Sequence, residues 1–199
     1  MSDIICVTNR SLCGGDFLAQ TEKIAAAHPK AVILREKDLS PDEYANLARK
    51  VLEICSRYGT QCILHSFTET AIELGAKAIH LPLQRLMELP DEKKSEFSII
   101  GASCHSVSDA VSAQEAGASY ITAGHVFATD CKKGLPPRGL DFLREVCSSV
   151  SIPVYAIGGI TPENMKEILS CGAAGGCIMS GLMRCTAPLT YLGGDELVQ

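Results

Sequence analysis

No run of apolar residues in this 199-residue chain is long enough to cross a bilayer, which excludes a transmembrane helix. Positive charge is in short supply: 18 lysines and arginines stand against 23 aspartates and glutamates, a net charge of −5. A field of that sign attracts neither nucleic acid nor an anionic membrane, so an anionic ligand must be held by a local set of donors. The first residues, Met1-Ser2-Asp3-Ile4-Ile5-Cys6-Val7, have neither a basic n-region nor an extended apolar stretch. No secretory signal is expected there, and a cytoplasmic location follows as the expectation. Linkers, internal repeats and low-complexity segments are also missing. With 46% hydrophobic and 21% charged residues, the composition is that of a folded chain. One domain over residues 1–199 is expected.

The chain has no Cys-x-x-Cys pair, although it has ten cysteines. Most lie inside apolar segments, as Cys62 does in Gln-Cys-Ile-Leu and Cys177 in Gly-Cys-Ile-Met. Small buried thiols in a reducing compartment account for that placement better than a disulfide framework or a zinc ribbon.

Short apolar runs alternate with helical patterns. Strands are predicted at Ile4–Val7, Ala31–Leu34, Cys62–Leu64, Ala78–Leu81, Ile99–Ser103, Tyr120–Ala123, Pro153–Ile157 and Gly176–Met179. Runs that are apolar almost throughout suit strands covered on both faces of a parallel sheet. From Asp42 to Tyr58, Tyr44, Leu47, Ala48, Val51, Leu52 and Cys55 form a helical stripe. Ser40-Pro41-Asp42-Glu43 opens it with a capping serine, a proline and a reciprocal acid, and Gly59 stops it. Ser106-Val107-Ser108-Asp109 and Thr161-Pro162-Glu163-Asn164 open two further helices, closed at Gly117 and Gly172. Gly181–Cys185 starts a last helix, cut short by Gly193-Gly194. Eight strand–helix units at about 20–25 residues each predict a compact (β/α)8 TIM barrel. An open flavodoxin-like sheet would use only five of the strands.

Such a barrel builds its site just beyond the carboxyl ends of its strands. Those positions carry Arg35-Glu36-Lys37, His65-Ser66, Ser103-Cys104-His105, Gly124-His125, Gly158-Gly159 and Ser180-Gly181. Gly158-Gly159-Ile160-Thr161 leads toward one helix start and Ser180-Gly181 toward another. Glycine-flanked amides at helix starts after the seventh and eighth strands are a phosphate-binding arrangement. The same glycines also suit tight turns with no ligand. The segment Phe127–Gly139 is long for its place and reads as a cover, with Lys132, Lys133 and Arg138 able to clamp an anion. A merely solvated basic loop is the plainer alternative. Just before it stands His125, an imidazole placed to move a proton. His65 and His105 occupy equivalent strand ends. His80 is expected as buried scaffold and His28 at the surface.

Leu34-Arg35-Glu36-Lys37, Ile100-Gly101-Ala102-Ser103, Gly117-Ala118-Ser119-Tyr120, Ala156-Ile157-Gly158-Gly159-Ile160 and Met179-Ser180-Gly181 together resemble thiamine phosphate synthase and its TenI-like relatives. The resemblance runs from about Ile33 to Gly181 and itself implies a (β/α)8 barrel. Synthases of this type carry an Asn-Asp pair after the third strand and a second metal-binding aspartate after the fourth. Here the sequence reads His65-Ser66, then His80-Leu81-Pro82-Leu83-Gln84-Arg85, with no carboxylate before Glu88. Magnesium needs hard oxygen ligands, and both expected ones are replaced. In contrast, Gly124-His125-Val126-Phe127-Ala128-Thr129-Asp130-Cys131-Lys132-Lys133-Gly134-Leu135 is similar to the TenI-like signature. Enzymes of that branch aromatise a carboxythiazole phosphate by moving a proton from ring C2 to the exocyclic carbon.

The resemblance therefore implies a cofactor-free, metal-free isomerase of thiamine biosynthesis, a thiazole tautomerase. His125 would carry the proton. Arg35, Lys37, His65, Ser103, His105, Thr129 and Lys132 would surround the substrate, and Gly158, Gly159, Ser180 and Gly181 would hold its phosphate. The partner is a small phosphorylated molecule, neither nucleic acid nor membrane, and a homodimer stays open. Three other readings remain. One is a transferase that joins pyrimidine pyrophosphate to thiazole phosphate. Another is a catalytically idle phosphate-binding barrel with a regulatory role. The last is a metal hydrolase using His65, His105 and His125 as ligands.

Overall fold

The computed structural model describes residues 4–193. Eight parallel strands close into a barrel in sequence order: β1 (Ile4–Val7), β2 (Ala31–Leu34), β3 (Gln61–His65), β4 (Ala78–Pro82), β5 (Ile99–Cys104), β6 (Tyr120–Gly124), β7 (Val154–Ile157) and β8 (Gly175–Ile178). Between them lie α1 (Phe17–Ala26), α2 (Pro41–Arg57), α3 (Thr68–Glu73), α4 (Leu83–Met87), α5 (Asp91–Lys94), α6 (Val107–Glu115), α7 (Gly139–Ser149) and α8 (Met165–Ser170). After β8 come α9 (Ser180–Arg184) and α10 (Pro188–Tyr191). The (β/α)8 expectation holds, strand for strand, with ends moved by a residue or so. Of the single domain expected over 1–199, residues 1–3 and 194–199, Gly194 among them, lie outside those described.

Alternation along each strand divides the core in two. Ile5, Val7, Ala31, Ile33, Ile63, Ala78, Tyr120, Tyr155 and Cys177 pack together inside the barrel. Val32, Leu34, Leu64, Ile79, Leu81, Ile121 and Ile178 belong to the larger layer shared with the helices. Because strand side chains alternate, the inward parity of β2 and β3 continues to Arg35 and His65 at the mouth. The strands read as continuous apolar runs because both of their faces are covered.

The long helix α2 starts as its sequence dictates. The Ser40 side chain accepts from the Glu43 amide, and the Glu43 carboxylate accepts from the Ser40 amide, with Pro41 in the first turn. Its Tyr44 is fully buried and ties the helix to the site. The phenol donates to the Leu34 carbonyl at 2.7 Å and accepts from the His65 amide at 2.9 Å. One buried side chain thus fixes the ends of β2 and β3 relative to each other.

Two expectations change. Thr161-Pro162-Glu163-Asn164 does not open a helix, because the chain first makes a turn and α8 begins at Met165. Asn164 braces that turn, accepting from the Thr161 amide with its side-chain oxygen and donating to the Gly159 carbonyl with its nitrogen. The last helix also divides, α9 ending at Arg184 and α10 following it after a break. The cysteines are free thiols: Cys6, Cys55, Cys62, Cys104, Cys171 and Cys177 are buried, and Cys131 is exposed. Among the described residues no helix is long and apolar enough to cross a membrane.

Candidate active site

The site is built on the carboxyl ends of the strands, where two buried histidines form its floor. His65 and His80 are register partners on β3 and β4, and their rings stack at 5.7 Å between centroids. The His65 Nδ1 meets the Ser66 hydroxyl at 2.7 Å. His80 is bonded at both ring nitrogens, Nδ1 to the Tyr120 hydroxyl at 3.0 Å and Nε2 to the Ser103 hydroxyl at 2.8 Å. Burial pushes His65 down to about 2, with the nearby His80, Lys37 and Arg35 adding to the effect. Burial, then Lys37, lowers His80 to about 3. Both rings are therefore neutral, and two cations lie close to them.

Arg35 and Lys37 follow β2. Lys37 is lowered by partial burial and then by the positive charges of Arg35 and Lys132. Arg35 and Lys132, the latter from the β6–α7 loop, thus lie within electrostatic reach of Lys37. Glu36, between Arg35 and Lys37 in sequence, is buried. It accepts from the Thr8 hydroxyl at 2.7 Å and from the Arg10 amide at 3.1 Å. Thr8 in turn accepts from the Arg35 amide at 3.0 Å. The sequence places Glu36 at the mouth, but its carboxylate serves the β1–β2 scaffold.

His125 begins the loop after β6, and the Gly124–His125 peptide is cis. The ring is half-buried, with Nε2 at 3.4 Å from the Leu135 carbonyl. A carbonyl only accepts, so in this arrangement Nε2 is the donor. The loop folds back through Arg138 N–H to the His125 carbonyl and Gly139 N–H to the Val126 carbonyl, both at 3.0 Å. His105 is exposed and donates from Nδ1 to the Gly124 carbonyl at 3.0 Å.

Gly158 and Gly159 have φ of +95° and +68°, a region glycine enters without strain. A Cβ on Gly158 would overlap the His125 Cβ, and one on Gly159 would lie 2.6 Å from the Ala128 carbonyl oxygen. The two glycines therefore let the turn after β7 pack directly on the His125–Ala128 segment. Gly158→Ala is expected to cost about 1–3 kcal/mol in urea unfolding from backbone strain alone, more with the overlap. An unchanged midpoint would show that the close approach is not needed. Ser180 and Gly181 form the start of α9, where the first amides have no partner within the helix.

Not every candidate reaches the mouth in the expected way. The Thr129 hydroxyl accepts from the Cys131 amide at 3.4 Å and caps the short turn Asp130–Lys132, which leaves its own hydrogen free for a ligand. Arg138 lies over the Phe142 ring at 5.3 Å, which gives its guanidinium a partner on α7. The helix start expected directly after Gly158-Gly159 is displaced to Met165, so the amides there belong to a turn and not to a helix. Sequence reasoning missed Tyr44 and Tyr120 as site supports. The signal available for Tyr120 was its inward parity on β6, opposite His80.

Comparison with known proteins matches a family model described as thiamine monophosphate synthase over residues 4–182. This chain belongs to the thiamine monophosphate synthase family. It is 33% identical over 181 residues to the thiamine-phosphate synthase of Clostridium novyi, covering 89% of each chain. To the thiamine-phosphate synthase of Caldivirga maquilingensis it is 38% identical over 158 residues, covering 78% of this chain and 76% of that one. Among solved structures, the thiamine phosphate pyrophosphorylase of Pyrococcus furiosus superposes with a TM-score of 0.82 at 26% identity, covering 95% of this chain and 91% of the other. These matches establish the family and do not separate its synthase and TenI-like branches.

Family membership implies magnesium in the synthase branch, and the residues here do not fit it. Ser66 stands at the end of β3, and its hydroxyl is taken by His65. Past β4 the first carboxylate is Glu88, exposed and bonded to the Gln84 side chain at 2.8 Å. Glu36 is occupied by Thr8 and Arg10. Among the described residues no three His, Cys, Asp or Glu side chains form a metal-ligating group. A hard divalent cation would face neutral imidazoles and three cations in place of carboxylates.

Proposed function

We propose that this barrel is a thiazole tautomerase, an isomerase of thiamine biosynthesis that aromatises a carboxythiazole phosphate. The observation that carries the reading is the packing of His125 on Gly158. The group best placed to move a proton touches the turn best placed to receive a phosphate. With the phosphate on the amides of Gly158, Gly159, Ser180 and Gly181, the ring extends toward His125. Arg35, Lys37 and Lys132 supply positive charge for the substrate carboxylate. Nδ1 of His125 takes the C2 proton, and the resulting imidazolium returns it to the exocyclic carbon. No group leaves, so an anchor and one acid–base residue suffice.

The names of the relatives favour a second reading, transfer of a pyrimidine from its pyrophosphate to thiazole phosphate. One pair of assays separates the two. The tautomerase reading expects the absorbance of the non-aromatic intermediate to decay at an enzyme-dependent rate with EDTA present. Rapid formation of thiamine phosphate from pyrimidine pyrophosphate, thiazole phosphate and Mg²⁺, without decay in the first assay, would replace it with the synthase reading.

A further inference from the structure

The Tyr120–His80–Ser103 chain has a direction that its hydrogen-bonding groups determine. Tyr120 and His80 are both buried, at 6% and 3% exposure. Gly101, on the strand between them, leaves the room they need: a Cβ there would overlap the Tyr120 ring and lie 2.5 Å from His80 Nδ1. Among the described residues, the Tyr120 hydroxyl has no hydrogen bond other than that to His80, and the Ser103 hydroxyl none other than that to the opposite ring nitrogen.

Neutral imidazole carries one hydrogen, so two arrangements exist. If Nδ1 held it, Tyr120 would accept, and its phenolic hydrogen would turn toward the barrel interior beside Tyr155 and Cys177, where no other hydrogen bond of that hydroxyl is formed among the described residues. Leaving a buried donor unmade is the costly outcome. If Nε2 holds it, Tyr120 donates to Nδ1 and Nε2 donates to Ser103. The only unpaired hydrogen is then that of Ser103, which is half-buried at the end of β5. Burial keeps the phenol of Tyr120 protonated by raising it well above its ordinary value.

We propose that Tyr120 and His80 are positioning residues that hold Ser103 as a hydrogen-bond donor at the barrel mouth. The mouth then selects a ligand that brings an acceptor atom to Ser103, such as a carboxylate oxygen or an unprotonated ring nitrogen, over one that brings a donor. The ligand half of this inference rests on the proposed function. The hydrogen-bond direction does not.

The direction is read by long-range 1H–15N NMR of the full-length protein labelled with 15N-histidine, with His80 assigned by the signal lost in His80→Gln. The expected result is an acceptor-type Nδ1 and a protonated Nε2 at pH 7. A protonated Nδ1 overturns the proposal. The ligand half is read in steady-state kinetics of Tyr120→Phe, Ser103→Ala and the double variant. Each single change is expected to raise KM for the carboxythiazole phosphate about 3- to 10-fold, the effect of one hydrogen bond, with a smaller change in kcat. The double variant should be no worse than either. Additive effects would show that Tyr120 does not act through Ser103. If Tyr120→Phe fails to fold, the wild-type tautomer still decides. If the wild type lacks tautomerase activity, the functional reading fails while the NMR result remains decisive here.

Discussion

Replacing His125 with glutamine is expected to slow decay of the non-aromatic thiazole intermediate by about 10²–10⁴-fold, the usual contribution of a positioned acid–base group. Glutamine is the informative substitution because its amide can still donate to the Leu135 carbonyl that His125 Nε2 faces at 3.4 Å. The loop base should also survive, since it is tied through backbone atoms: Val126 N–H to the Ile157 carbonyl and Phe127 N–H to the Gly158 carbonyl, both at 2.9 Å. Packing of residue 125 on Gly158 involves the Cβ, which glutamine keeps. The loss should therefore fall on kcat, with KM nearly unchanged, because the phosphate amides and the three cations are untouched. Equal rates for wild type and variant would remove His125 from the chemistry. An equal fall in affinity and rate would instead make it a binding residue.

The fold was legible because both-face burial leaves a distinctive mark. Eight short apolar runs separated by capped helices admit few topologies, and the Ser40/Glu43 capping box lies where the sequence places it. Strand ends also led to the candidate site, since inward parity carries Arg35, His65 and Ser103 to the mouth. What escaped was the use to which polar residues are put. Thr129 and Asn164 have side chains short enough to bond neighbouring amides, and the backbone took both. Glu36 is a carboxylate at a strand end, the expected place for chemistry, yet Thr8 and Arg10, which lie 28 and 26 residues away, take it up. Nothing in local spacing announces such long-range partners. The branch within the family is a finer question, and it turns on a few positions such as Ser66 and His125 within a barrel shared by both branches.

Acid is expected to weaken the fold already between pH 7 and 5, and the two floor histidines are the reason. In the unfolded chain His65 and His80 return to the ordinary imidazole value near 6.5. In the folded protein burial and the neighbouring Lys37 hold them neutral, at about 2 and about 3. Below pH 6.5 the unfolded state thus binds two protons that the folded state refuses. Stability is full above that pH and is lost as pH falls toward the folded values. Between pH 7 and 5 the loss should be about 2 kcal/mol for each ring, or about 4 kcal/mol for the pair. This window is diagnostic. Asp38, Glu43 and Glu163 are held below their ordinary values by hydrogen bonds and remain charged throughout it. Urea unfolding at pH 7, 6 and 5 measures the slope directly. His80→Gln should remove about half of it whatever the variant costs at pH 7, and His65→Gln the other half. A wild-type unfolding free energy that stays level from pH 7 to 5 would mean that these imidazoles accept protons in the native state. The neutral floor beneath Arg35 and Lys37 would then be wrong.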